Sequence, residues 1–320
     1  DKWNGYPVVG LDKFYTEQKD HYSFANTGSS FGYGSKYFVP RQRYVTAVQS
    51  VIRGSYYYAW DSSWKGSCFG MAASSAEFYE GNQFNVKDYT AAAKSLYEVL
   101  APKDPNADLT KIIEIYQVSQ YADKISKETA ENYGKYRKLI KQVEEFERSG
   151  GLRIDSTADP IVLCVYSGCS GHAVVPVSVN MDNEGNYILE VYDCNSPNSF
   201  STLTVKKDFS GISYGRYNQA SFVKYSTIRE ALKDADFTGE SLKKSSNESN
   251  TVAIAVNREN ISLKNGGGRD YSEIKGAYEQ RPMSAGEEEF SGIRSFILPQ
   301  DQVEYKIEED PKAKAGDTEE

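Results

Sequence analysis

The spacing of apolar residues changes character about halfway along the chain. Over 126–148, Tyr133, Tyr136, Ile140 and Val143 step by three and four along one face, the pattern of an amphipathic helix. Gly150-Gly151 is a fitting stop for it. The same period runs through Val86–Leu100 and Leu109–Tyr121, and the run CFGMAASSAEFY from Cys68 to Tyr79 reads as a further helix, small on one side and aromatic at its end. Beyond residue 160 the helical period gives way to short apolar runs. Ile161–Tyr166, Ala173–Val179 and Tyr187–Asp193 read as strands, the last two joined by the turn Asp182-Asn183-Glu184-Gly185-Asn186. Ser201–Val205, Ser221–Tyr225, Val252–Val256, Ile261–Leu263 and Phe296–Leu298 extend the β series. Helices in the first half and antiparallel strands in the second predict an α+β fold rather than a doubly wound one.

Residues 1–60 show no long period until about Tyr44 and are rich in Gly, Ser and aromatics, so they are expected to wrap a core as irregular structure. The polar stretch TGESLKKSSNESN marks a boundary near 235–250. The predicted organisation is one main domain over 1–235, a β-rich extension over 236–307 and an acidic flexible tail over 308–320.

Charge narrows the field a little. The chain carries 37 basic and 45 acidic side chains, net −8, which argues against a general nucleic-acid binder. Residues 301–320 hold eight acids and three bases and supply −5 of that, so the remainder is nearly balanced. No apolar run reaches the ~18 residues of a membrane span. With 25 tyrosines, 4 cysteines and Asp1 at the start, the expectation is a secreted chain, in its mature or a trimmed form, not built on disulfides.

The chemistry centres on Cys68, which follows Gly66-Ser67 and opens a predicted helix. A helix N-terminus and a neighbouring imidazolium both stabilise a thiolate, the reactive form of cysteine. Only His21 and His172 can supply an imidazole. His172 stands at the entry to a strand, in GHAVV, and the hairpin of the second and third runs would bring Asp193 beside it. Nucleophile, base and orienting carboxylate are then all present. Asn195 shares a strand face with Asp193 and is the alternative third member; the turn at Asn195-Ser196-Pro197 favours Asp193. A different reading takes Cys164, Cys169, His172 and Cys194 as a structural zinc set, although that spacing is not a common zinc pattern.

Gly66-Ser67-Cys68-Phe69 resembles the Gly-Ser-Cys-aromatic signature of papain-like cysteine peptidases, and His172-Ala173-Val174 resembles that family's His-Ala-Val. The order Cys, His, Asp/Asn also agrees, and GSCFGMA with GHAV is similar to secreted bacterial members; the likeness covers roughly residues 60–225. The resemblance implies a papain-like fold and a peptidase that needs no cofactor and takes protein or peptide substrates. It also implies an oxyanion hole in which the Cys68 N–H is one donor. Ser62 stands where the family has its oxyanion glutamine, with Ser63 and Gln49 as other candidate donors, and Lys65 replaces a half-cystine. Other uses of the same three groups are a cell-wall amidase or a transglutaminase-like crosslinker. Outside enzymes, the alternative is a binding or adhesion module that keeps the fold without the activity.

Overall fold

The structure, a computed structural model, describes residues 19–33, 66–80, 83–149, 159–168, 170–235, 237, 251–257, 261–280, 293–299 and 304–309. Among them the architecture is mixed α+β, with helices preceding an antiparallel sheet. The helices are α1 (Cys68–Glu80), α2 (Asp108–Ser119), α3 (Asp123–Glu131), α4 (Tyr136–Arg148) and α5 (Tyr225–Leu232). The main sheet comprises β1 (Ile161–Ser167), β2 (Ser170–Met181), β3 (Tyr187–Tyr192), β4 (Phe200–Val205), β5 (Ile212–Ser213) and β6 (Gln219–Lys224). Its order is β5-β4-β3-β2-β1-β6, which places β1 and β2 in the interior. None of the helices is long and apolar enough to cross a membrane, among the described residues.

Both faces of the sheet are covered, as the alternation of side chains along its strands requires. On one face Cys164, Tyr166, Ala173, Val175 and Tyr192 pack with Phe69, Ala72 and Ala73 of α1 and with α2. On the other, Leu163, Val165, Val174, Leu189 and Val191 pack with Tyr136, Leu139, Ile140 and Val143 of α4. The small side chains of α1 let it lie close to its neighbours. A Cβ built on Gly70 would stand 2.1 Å from the Ile113 carbonyl oxygen on α2 and 3.0 Å from Gln117 Cβ. The Gly70 N–H, at the helix's first turn, is taken up by Gln117 Oε1 at 2.8 Å. Alanine normally suits a helix interior better than glycine, but here it has no room. Gly70→Ala is therefore expected to lower the stability by roughly 1–3 kcal/mol, read from the urea midpoint; an unchanged midpoint would show that α1 and α2 can part without cost.

Two predicted helices come out differently. The run 126–148 is broken in two between Glu131 and Tyr136. Gly134 adopts a left-handed φ of 70° there and donates its N–H to Ala220 O on β6 (2.9 Å), while Asn132 Nδ2 donates to Phe222 O (2.9 Å). Sheet carbonyls replace the helical bonds, and Tyr133 turns toward Tyr166 instead of following Tyr136. Val86–Leu100 is not an α-helix but two short 3-10 turns, Val86–Asp88 and Leu96–Glu98. Its backbone donors are drawn elsewhere: Lys87 N–H bonds the Asn85 side chain, Tyr97 N–H bonds Lys19 O, and Leu100 N–H bonds Thr90 Oγ1. Competing local acceptors of this kind defeat a helical period.

The later strands form two small sheets. β7 (Thr251–Asn257), β10 (Ile293–Pro299) and β9 (Tyr278–Gln280) lie in the order β7-β10-β9, and β8 (Ile261–Asn265) pairs with β11 (Tyr305–Glu309). They share a cluster of their own, Ile261, Leu263, Phe296 and Leu298. Ser126 Oγ of α3 donates to Tyr278 Oη of β9 at 3.3 Å, so this part touches the first. Glu308 and Glu309, assigned by sequence to the tail, are paired in β11 opposite Ser262 and Ile261, and Lys264 Nζ holds the Glu308 carboxylate at 2.7 Å; the rest of the tail lies outside the described residues. The Gly150-Gly151 stop and the 238–250 boundary lie outside them as well.

Candidate active site

Cys68 is the first residue of α1, fully buried, and its N–H lies in the helix's first turn, where backbone donors have no intrahelical acceptor. The bend that leads into it is held at both ends: Met71 N–H donates to Ser67 O (2.8 Å), and Ser67 N–H donates to Asn26 Oδ1 (2.8 Å).

His172 lies on β2 opposite Val165 of β1. Pairing of β2 with β3 sets Val175 against Tyr192, so the chain leaves β3 level with the entry to β2. Asp193 sits at that exit. The His172 Nε2–H donates to Asp193 Oδ1 at 2.8 Å, with the histidine 2% and the aspartate 8% exposed. Two further bonds fix the carboxylate: Asn195 N–H donates to Oδ1 (2.8 Å) and Tyr214 Oη–H donates to Oδ2 (2.5 Å). Ser196 N–H closes the turn on the Asp193 backbone carbonyl (2.9 Å). Tyr217 stacks on the imidazole with centroids 6.1 Å apart, and the Arg216 guanidinium lies over the Tyr217 ring.

The Cys68 thiol neighbours the same imidazole. Burial alone would depress the His172 pKa, but the bond to Asp193 and the charge of the nearby Cys68 sulfur outweigh it and push it up to about 10. Nδ1, the ring nitrogen not used by Asp193, is buried and makes no hydrogen bond, to the Cys68 sulfur or to any other described group. Burial works against the Asp193 charge too, yet the His172, Tyr214 and Asn195 bonds hold its pKa below the ordinary carboxylate value. Cys164 on β1 and Cys194 after Asp193 are both buried, and burial together with the Cys68 charge pushes each thiol up, which makes them poor nucleophiles at neutral pH.

These shifts predict a pH dependence of stability. The raised His172 pKa contributes stability present in full below 6.5 and lost as pH climbs toward about 10. The lowered Asp193 pKa contributes stability present above 3.8 and lost as pH falls through the folded value. The urea midpoint of the wild type should therefore decline between pH 6.5 and 10. His172→Gln should flatten that limb; an identical slope in the variant would assign the decline to other groups.

Cys68, His172 and Asp193 thus stand together. Asn195 stands beside them, but its side chain is exposed and accepts from Asn26 Nδ2 at 3.3 Å, while its link to Asp193 runs through the backbone. Ser62, Ser63 and Gln49 lie outside the described residues, as does Cys169. His21 serves elsewhere: its Nδ1–H donates to Tyr22 O (3.1 Å) and its ring stacks on Tyr192 at 4.6 Å. Among the described residues, the donors that approach one another within 4.8 Å are His172, Asp193 and Cys194; two of these belong to the zinc set read from the sequence, Cys164 is not among them, and the His172 Nε2 is already committed to Asp193. Sequence reading missed Asn26, Tyr214, Tyr217 and Gln117. Asn26 carried one weak signal, an amide inside the aromatic run HYSFAN.

Compared with protein-family models, with curated proteins and with solved structures, the chain finds no match in any of the three.

Proposed function

We propose that this chain is a secreted cysteine peptidase of the papain-like kind, with the β7–β11 region as a C-terminal extension. The observation that carries the reading is a buried imidazole bonded through Nε2 to Asp193 at 2.8 Å, with Nδ1 left unbonded, on a strand that packs against the helix opened by Cys68. A thiol, a base and a group that fixes the base are the parts needed for acyl transfer.

In the proposed reaction the imidazole takes the Cys68 proton and the sulfur attacks the carbonyl carbon of a peptide bond. Negative charge gathers on the carbonyl oxygen, which the Cys68 N–H is placed to receive. As the C–N bond breaks, His172 returns the proton to the leaving amine, leaving a thioester on Cys68. Water, deprotonated by His172, then attacks the thioester, and the thiol leaves with its proton restored. Asp193 holds the ring and stabilises its charged form throughout. A module kept only for binding would have little use for a buried charged pair, which is costly to hold.

The test is labelling with a peptidyl epoxide inhibitor followed by peptide mapping. Modification at Cys68, blocked by prior iodoacetamide, is the expected result. Preferential labelling of Cys164 or Cys194, or none at all, would remove the peptidase reading.

A further inference from the structure

Asn26 is an uncharged side chain, 9% exposed, in a segment far from the site in sequence. It nevertheless touches the chain beside two members of the candidate site, at the residue before Cys68 and at the two residues after Asp193. Its Oδ1 accepts from Ser67 N–H at 2.8 Å, immediately before Cys68. Its own N–H donates to Cys194 O at 2.9 Å, and its Nδ2 to Asn195 Oδ1 at 3.3 Å, immediately after Asp193. Ser67 and Asn195 lie 41 and 169 residues away from it, so no local structure dictates the meeting. We propose that Asn26 is a positioning residue: it bridges the bend before the nucleophile to the turn after the orienting aspartate, and so sets the spacing between Cys68 and His172.

The inference deepens the peptidase reading and rests on it. The geometry of the bridge explains why the amide suits the position. One side chain must accept from a buried backbone N–H on one side and donate on the other, and asparagine does both over a short reach. The backbone bond to Cys194 does not depend on the side chain, so its removal loosens only the Ser67 end and the Asn195 contact. The titratable groups around His172 are Cys68 from α1, Asp193 and Cys194 after β3, and Cys164 from β1 by way of Cys68, with Tyr214 on Asp193 and Arg216 over the stacked Tyr217. Asn26 bears no charge, so it can move the His172 titration only by moving these groups.

The chain has two histidines, which makes their ring nitrogens easy to follow by NMR in 15N-histidine-labelled protein. His21→Gln assigns the signals. The comparison is wild type, Asn26→Ala and Asn26→Asp, each full length and checked for folding by circular dichroism, with kcat and KM on one fluorogenic peptide. Asn26→Ala is expected to lower kcat about tenfold, with KM within about twofold, because small misplacements of reacting groups are costly. It should also move the His172 titration about one unit toward the ordinary histidine value. Asn26→Asp keeps an acceptor for Ser67 N–H and should recover most of both. Titration and kcat unchanged in Asn26→Ala would overturn the proposal. If Asn26→Ala does not fold, Asn26→Asp decides: a wild-type titration supports the bridge, and a displaced one overturns it. A wild type that cleaves no peptide would remove the peptidase reading alone, since the ring titration still judges Asn26.

Discussion

Cys68→Ala is expected to fold and to show no measurable turnover. Removing a nucleophile from a site whose members act as a unit costs orders of magnitude, so on the proposed reading at least a thousandfold is expected here. The fold should survive, because the change deletes a single buried sulfur, worth roughly 1 kcal/mol on the scale of one methylene. Two controls give the result its meaning. Cys164→Ala and Cys194→Ala remove thiols that burial and the Cys68 charge push toward the neutral form. Each should retain most of the wild-type rate on the same peptide. Turnover that persists in Cys68→Ala, or vanishes equally in all three variants, would mean that the sulfur at the start of α1 is not the attacking group.

Asp193→Asn comes next in size, with an expected loss of roughly tenfold to a thousandfold. The corresponding change in a serine peptidase costs about four orders of magnitude; a thiol, which gives up its proton more readily than a hydroxyl, should soften this. The structure shows what the amide would do. Its oxygen could still accept from His172 and from Asn195 N–H, and its nitrogen would then face the Tyr214 hydroxyl, which can rotate to accept. Shape is kept and the charge is lost, so the loss measures the charge. Asn195→Ala should cost no more than a few-fold, because alanine keeps the N–H that bonds Asp193 and the lost side chain is exposed. Turnover and circular dichroism on both variants check the pair. A severe loss in Asn195→Ala beside a mild one in Asp193→Asn would move the orienting role to Asn195.

Much of the fold was legible because it follows from local rules. The apolar runs place β1 to β4 within a few residues, and the Asp182–Asn186 turn joins β2 to β3 as its composition predicts, with Asp182 Oδ1 accepting from Glu184 and Asn186 N–H. That hairpin is what made His172 and Asp193 readable as neighbours. The errors came where tertiary partners outbid local preference. Gly134 stops a helix whose apolar period runs through it, because β6 offers a carbonyl at the right place. Around 86–100, side-chain and Lys19 acceptors replace the helical ones. The supporting polar residues were the least visible. Asn26 meets partners 41 and 169 residues away, and Tyr214 reaches back 21 residues across the sheet to Asp193. No periodicity encodes such contacts; only the closed fold brings them together.

The distance in sequence between the parts of this site also sets an order of events. Synthesis proceeds from the N-terminus at about 5–20 residues per second, so Cys68 leaves the ribosome well before the base that would activate it. Helices α1 and α2 can pair early, since they are neighbours in the chain. The imidazole has no anchor until Asp193 has emerged, nor the carboxylate its full set of bonds until Tyr214 has. Asn26, made before all of these, waits longest for Cys194 and Asn195. On the proposed reading, an incomplete chain lacks the parts of its own site, and the growing polypeptide is thereby kept from attacking itself or its neighbours.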